Sequence, residues 1–584
     1  MSVVFKYMKP YTWMIVCTVV LLTGEAMLAL VLPGYMADIV NDGVLTGHIS
    51  VIWRNGAIML GLTLVSVSLA ITSGFFAAKI TAGVANNLRE SVFKKVLSFS
   101  NAEINKFSTS SLLTRTTNDV MQVQNALIMA VRLLIYSPIL GIGGLLRAAE
   151  RNVALTWVVA AAAFAMVASL VLVFLIALPK VKIWQDLLDR MNLVSRENLT
   201  GVLIVRAFNT QKFEQKRFGK ANDDLLHTGI FIDQTFAFMG PIIWLGLNLT
   251  TALIVWIGAR EASAFRVDIG DIFAFLQYGM LIIFAFLMVA LMFVMLPRAV
   301  VSAWRIQEVL DTKGSIIYKK DTTPLPKNFS GTLEFKNVDF RYPDAKEGDD
   351  DVLTGISFTA RPGTTTAIIG STGSGKTSIF KLILRFFDVT RGAILVDGID
   401  VRDVHKEELH TQIGYVSQKA MLFKGTIMSN LMYADKHATK ERIENAVEIS
   451  QSAAFIAGKE DGYDSNVAQG GTNFSGGQRQ RLSIARALVK QAQIYLFDDS
   501  FSALDMKTDA LLRAALKEKM SDKTILVIAQ RVSSIMDADQ ILVLDQGEVV
   551  GLGKHADLLK TCSVYKEIAV SQLSEEELGG AANV

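Results

Sequence analysis

Cysteine is nearly absent: Cys17 and Cys562 are the only two in 584 residues, and they lie far apart in different kinds of sequence. That excludes a disulfide scaffold and a cysteine-rich metal site, and it fits a reducing compartment. Charge is scarce as well. Asp, Glu, Lys and Arg make up 19% of the chain, where globular proteins carry about 25%. The net charge of +3 is no footprint for nucleic acid. The six histidines fall into no metal-ligand spacing. Tryptophan stops at Trp304, all seven lying between Trp13 and that position, so the chain has two chemically different halves. What abounds is apolar: 51% hydrophobic residues and a mean hydropathy of +0.37. An ordinary soluble protein and a disordered one are both excluded. The composition is that of an integral membrane protein.

Crossing the hydrocarbon takes about 20 apolar residues as helix. Six stretches qualify, at about 13–40, 52–79, 122–146, 152–179, 230–259 and 271–298. The first is too long for a signal peptide. Basic residues crowd the segments after the second and fourth spans, including Arg89, Lys94, Lys95, Lys180, Lys182 and Arg190. The opposite loops hold few, so both termini and the second half are expected in the cytoplasm. The two basic loops read as helices prolonged beyond the bilayer, with tips at 107–111 and 208–210, suited to press on a cytoplasmic domain. Glu25 lies near the middle of a span, where a carboxylate is costly and faces a cavity or a partner. It is the candidate for the translocation path. The sixth span is dense in Phe and Met, from Phe273 to Met295, which suits varied apolar or cationic ligands and equally suits plain packing.

The membrane domain is thus expected over 1–310, with a linker at 311–331 marked by Pro324 and Pro326. From 332 to 572, short β-branched runs alternate with helical periods, an α/β pattern. The acidic, small-residue tail 573–584 reads as disordered. Within the α/β region, Thr366–Ile369 runs into Gly370, Ser371, Thr372, Gly373, Ser374, Gly375, Lys376 and Thr377. This phosphate-loop pattern is met at every fixed position, between an expected strand and an expected helix. Its backbone N–H groups and helix N-terminus, reaching Ser378, would cradle phosphates. Lys376 would reach the terminal phosphates of ATP, and the Thr377 hydroxyl would take Mg²⁺. A second apolar strand, Ile494–Phe497, delivers Asp498 and Asp499, with Asp498 the carboxylate for the Mg²⁺ shell.

Between those strands stands Phe474, Ser475, Gly476, Gly477 and Gln478, then Arg479–Ala487. This resembles the signature motif of ABC transporters, with phenylalanine for the usual leucine. Gln418 resembles the family's Q-loop glutamine, Ser502–Asp505 its D-loop, and Tyr342 the aromatic residue that stacks on adenine. The six spans are similar to the membrane half of an ABC exporter. The resemblance implies two nucleotide domains meeting head to tail, each ATP held by one phosphate loop and the other domain's Ser475, Gly476, Gly477 and Gln478. It also implies a share for Gln418 in the Mg²⁺ shell.

Two departures then bear on mechanism. Hydrolysing members place glutamate after the Mg²⁺ aspartate and histidine at the switch position; here stand Asp499 and Gln530. Aspartate is shorter by one C–C bond, about 1.5 Å, and a general base must come within about 3 Å of its water. Glutamine can donate a hydrogen bond but carries no positive charge. Together the changes resemble the degenerate-site subunit of bacterial heterodimeric multidrug ABC exporters, sited in the inner membrane. A related half-transporter is then the expected partner, with membrane lipids and small hydrophobic or amphipathic molecules as further ligands. Rival readings are a homodimeric exporter or lipid flippase with slow hydrolysis, and an ATP-gated channel-like protein. Charged pore rings, which would favour the last, are not seen.

Overall fold

A computed structural model describes the chain apart from Met1, Lys320, Glu347, Asp349 and 575–584, with the side chains of 2–3 and 290–295 also left out. Met292, Phe293 and Met295 of the sixth span, part of the 346–351 loop and most of the expected tail therefore lie outside the described residues. Two compact units emerge: residues 1–97 with 110–312, and residues 98–109 with 313–584.

The first unit is helical. Its long helices are α1 (Thr12–Asp38), α2 (Ile49–Leu97), α3 (Val120–Arg151), α4 (Val153–Thr200), α5 (Gln211–Ala237), α6 (Met239–Ser263) and α7 (Ile269–Asp311). Among the described residues six helical segments are long and apolar enough to cross a membrane. The fifth segment is interrupted: α5 ends at Ala237 and α6 starts at Met239. Pro241, which has no N–H to bond back to Ala237, accounts for the break. In α1 the buried residues Leu22, Ala26 and Leu30 follow a four-residue spacing, while Trp13, Val16 and Val20 are exposed. Exposed apolar side chains of this kind suit hydrocarbon contact. At the end of α3, Arg151 bonds Asp271 at 2.8 Å and Asp38 at 3.2 Å, so one guanidinium joins α1, α3 and α7.

The second unit contains the short helix Asn101–Phe107, from the tip of the first basic loop. Its N-cap Ser100 and Glu103 form a reciprocal capping box. The Glu103 carboxylate also accepts the Ser315 amide at 2.7 Å. The corresponding tip of the second loop belongs to the first unit and leaves Leu203 and Phe208 exposed, at 76% and 75%.

Most of the second unit is built on two sheets. Strands β1 (Leu333–Phe340), β2 (Leu353–Ala360) and β4 (Arg391–Val396) pair antiparallel with the two-residue strand Ile399–Asp400 at the edge. The other sheet holds β3 (Thr365–Gly370), β5 (Ile413–Val416), β6 (Ile494–Asp498), β7 (Thr524–Ile528), β8 (Gln540–Asp545) and β9 (Glu548–Gly553). Its order is β9-β8-β3-β7-β6-β5, parallel except for β9. Every residue of β6 and β7 is buried, which is why these strands are unbroken apolar runs rather than alternating ones. The helices that matter for function are α8 (Lys376–Ile383), α9 (Gly476–Val489), α10 (Met506–Lys519) and α11 (Ser563–Gln572).

Candidate nucleotide site

The register of three neighbouring strands builds the site. Ile528 of β7 pairs with Ile368 of β3 on one side and with Asp498 of β6 on the other. The carboxyl ends of β3, β7 and β6 therefore emerge side by side, where open α/β sheets bind ligands. Onto that edge they deliver the loop from Gly370 to Gly375, the Gln530 turn, and Asp498 with Asp499.

The loop ends packed tightly against the chain beside it. Gly375 has φ +92°, and a Cβ there would stand 2.5 Å from Leu353 Cδ2 and 2.9 Å from the Val352 carbonyl. Only glycine fits. Lys376 Nζ donates to the carbonyls of Gly370 (2.8 Å) and Ser371 (2.6 Å), and reaches Ser374 Oγ at 3.4 Å. Burial pushes its ammonium below the usual lysine range, the charges of Asp499 and Asp498 pulling the other way. A half-desolvated cation held only by neutral acceptors fits the negative oxygens of a phosphate chain. Thr377 Oγ1 donates to Asp498 Oδ1 at 3.2 Å. Asp498 is 2% exposed, and burial raises its carboxyl above the ordinary range. This hydroxyl and carboxylate are hard oxygen donors of the kind Mg²⁺ takes alongside phosphates. The residues present thus fit both groups.

Gln418, expected to share in the Mg²⁺ shell, lies beside the second carboxylate. Its Nε2 donates to Asp499 Oδ2 at 3.3 Å. Gln530 Nε2 donates to the same oxygen at 2.7 Å. Asp499 is 8% exposed and takes the left-handed backbone region at φ +46°, a strained conformation for a non-glycine residue. Burial raises its carboxyl, with the Gln418 hydrogen bond acting in the opposite sense. The two residues that depart from the usual pattern are therefore in direct contact, which spacing in the sequence does not reveal.

Tyr342 stands beside α8. Its hydroxyl is 2.8 Å from Ser378 Oγ, and its ring packs edge-on against Phe340 and Phe387. The signature residues lie apart from the loop's partners, at the start of α9. Ser475 is the N-cap: its hydroxyl accepts the Gln478 amide at 3.3 Å, and its own amide donates to Gln478 Oε1 at 3.1 Å. Phe474, the unusual residue, is buried, with Lys459 Nζ 4.6 Å from its ring centre. A Cβ on Gly476 would meet nothing within 4 Å, and one on Gly477 only the Ala503 carbonyl at 3.2 Å and Leu504 at 3.8 Å.

Comparison with known proteins now decides the family. Residues 353–502 match the ABC transporter family, and residues 13–286 match the ABC transporter transmembrane region. An uncharacterized ABC transporter ATP-binding protein of Mycobacterium tuberculosis is 39% identical over 579 residues, 98% of each chain. The chain belongs to the ABC transporter family. An ATP-dependent lipid A-core flippase of Pseudomonas aeruginosa is 31% identical over 588 residues, covering 98% of this chain and 96% of that one. In fold, the structure of a bacterial Atm1-family ABC exporter with ATP bound aligns with a TM-score of 0.77 at 24% identity. The match covers 97% of this chain and 99% of that one. This ABC transporter is accordingly a half-transporter of exporter type: a six-helix membrane domain followed by an ABC ATPase domain.

In the membrane unit, Glu25 is 5% exposed, and Arg132 of α3 lies 3.8 Å away with a side chain 60% exposed. Of the pair, the arginine is the exposed member. Among the described residues, one Glu25 oxygen has no hydrogen-bond partner. Sequence reasoning singled out the carboxylate, and the pairing across two helices became visible only in the fold.

Proposed function

We propose that this half-transporter is one subunit of a heterodimeric, ATP-driven exporter of hydrophobic or amphipathic molecules in a bacterial plasma membrane, with both termini cytoplasmic. Its own phosphate loop, Thr377 and Asp498 bind Mg²⁺ and ATP at a site that turns over slowly. Its Ser475, Gly476 and Gly477 complete the hydrolytic site on the related partner subunit.

One observation carries the asymmetric reading: a single oxygen of Asp499 already accepts hydrogen bonds from both Gln530 and Gln418. A general base needs a lone pair free at about 3 Å from the attacking water. A carboxylate one methylene short, with one oxygen engaged by two amides, has only its other oxygen to offer and reaches less far toward the water. The open space around Gly476 supports the other half of the reading, because this chain's own packing does not demand glycine there. A surface that must admit another molecule's phosphate does. The exposed Leu203 and Phe208 are apolar surface of the kind a partner subunit covers.

Steady-state ATPase of the assembled transporter tests the asymmetry. Ser475→Ala should cost on the order of 10²-fold, the scale for a lost transition-state donor, whereas Asp499→Ala should keep most of the turnover. The reverse order would defeat the assignment. The second reading is a homodimeric lipid flippase, favoured by the flippase relative and by an exposed Arg132 suited to an anionic headgroup. Purification without a second related chain, active by itself, would select it.

A further inference from the structure

Gln572 is the last residue of α11, remote in sequence from every nucleotide motif. Its side-chain amide nevertheless brackets the switch turn. Gln572 Oε1 accepts the Val532 amide at 2.8 Å, and Gln572 Nε2 donates to the Gln530 carbonyl at 2.9 Å. Both bonds go to backbone on either side of Arg531, so they fix the turn's path independently of which side chains it carries. The anchor is firm at both ends. Tyr565 and Ala569 of α11 are fully buried, and Tyr565 is tied by its hydroxyl to His555 Nδ1 at 2.7 Å. Val532 is fully buried on the other side. From the bracketed backbone, the Gln530 side chain runs 2.7 Å to Asp499.

We infer that Gln572 is a positioning residue for the switch, and that the C-terminal helix α11 thereby sets the distance between residue 530 and the terminal phosphate of bound ATP. A glutamine in place of histidine has no charge to draw it toward phosphate, so its reach depends more heavily on where its backbone is held. The bracket supplies that hold. The inference rests on assigning Gln530 to the switch position.

The test uses the full-length chain in detergent, with hydrogen exchange and equilibrium binding of Mg·ATP and Mg·ADP. Gln572→Leu, similar in size but with neither donor nor acceptor, should raise exchange at the Val532 amide at least tenfold, as expected for a lost protecting hydrogen bond. It should also lower the preference for ATP over ADP by about the same factor as Gln530→Ala, roughly tenfold for one charge-assisted bond. Gln572→Glu keeps the acceptor for the Val532 amide but sets a carboxylate oxygen against the Gln530 carbonyl, so it should preserve protection at Val532 while still lowering selectivity. Val570→Ala, on the exposed face of the same helix, should change neither readout. The double variant Gln530→Ala with Gln572→Leu should be no less selective than Gln530→Ala. If exchange at Val532 does not rise, or if selectivity survives Gln572→Leu while Gln530→Ala destroys it, the positioning role is overturned. If Gln530→Ala itself leaves selectivity intact, the switch assignment falls instead, and the positioning falls with it.

Discussion

The two sides of the nucleotide site are built from the same sheet edge but by opposite means. On the phosphate side, Lys376 holds only neutral carbonyl and hydroxyl acceptors, and Thr377 rests on Asp498. These groups give up their partners readily when a stronger anion or cation arrives. On the carboxylate side, Asp499 is wedged in a left-handed backbone conformation with Gln530 and Gln418 on one oxygen. Those contacts are internal, and both fall on one of the carboxylate's two oxygens. On the asymmetric reading proposed above, the difference separates capture of nucleotide from its cleavage: one side is ready to bind, and the other is held by contacts within the chain.

The strongest way to break this comparison is on the binding side. Lys376→Ala removes the one cation in the loop, and charge-assisted contacts to phosphate are the strong ones. Affinity for Mg·ATP, read by equilibrium binding to the full chain, should fall by on the order of 10²-fold, about 3 kcal/mol. A loss below threefold would mean that the backbone cradle does the binding and that the lysine's contacts in the loop are structural.

Next in size is the pair of substitutions that would undo the proposed asymmetry. Asp499→Glu lengthens the side chain past the two amides, and Gln530→His restores a side chain able to carry positive charge. Because the wild-type residues touch, the two substitutions should couple. Either alone leaves an unmatched partner, and the pair together should raise hydrolysis at this chain's site by about 10²-fold, the lower range for general-base catalysis. Single-turnover hydrolysis in the assembled transporter measures it. Additive effects of the two changes would show that the contact between 499 and 530 is incidental.

Much of this site was legible from residues alone, because its chemistry follows local order. A strand, a glycine loop and a lysine stand in one short stretch from Thr365 to Thr377, and their function depends on backbone direction that the pattern specifies. The six membrane segments were legible for a similar reason, since hydrocarbon thickness sets a length that composition must meet. What escaped was set by long-range contact. The hydrogen bond from Gln418 to Asp499 is one such contact, made across strand order rather than along the chain. Arg132 meets Glu25 across two helices more than a hundred residues apart. The interruption at Phe238 was hidden inside an apolar run that hydropathy counts as continuous, although Pro241 marks it.

The gentlest test asks how far the carboxylate side is settled without ligand, and it works through protons. Burial raises the Asp499 carboxyl above its ordinary range, so the folded chain holds that proton to higher pH than the unfolded chain does. Between the two values the folded state binds more protons, and stability must fall as pH rises through that window. Above it the full cost of a buried charge remains; below the ordinary carboxylate range the cost is gone. Asp499→Asn keeps a carbonyl for the Gln530 and Gln418 amides to donate to, and it cannot ionise. The nucleotide-free variant should therefore be more stable than wild type at mildly alkaline pH, by about 1 kcal/mol or less. The gain should shrink steadily as pH is lowered toward the ordinary carboxylate range. Calorimetric unfolding midpoints of the full chain across that pH series measure the difference. A gain that stays constant with pH would assign the effect to packing, and a loss at alkaline pH would mean that the charge on Asp499 is welcome in its pocket, as a base awaiting water would require.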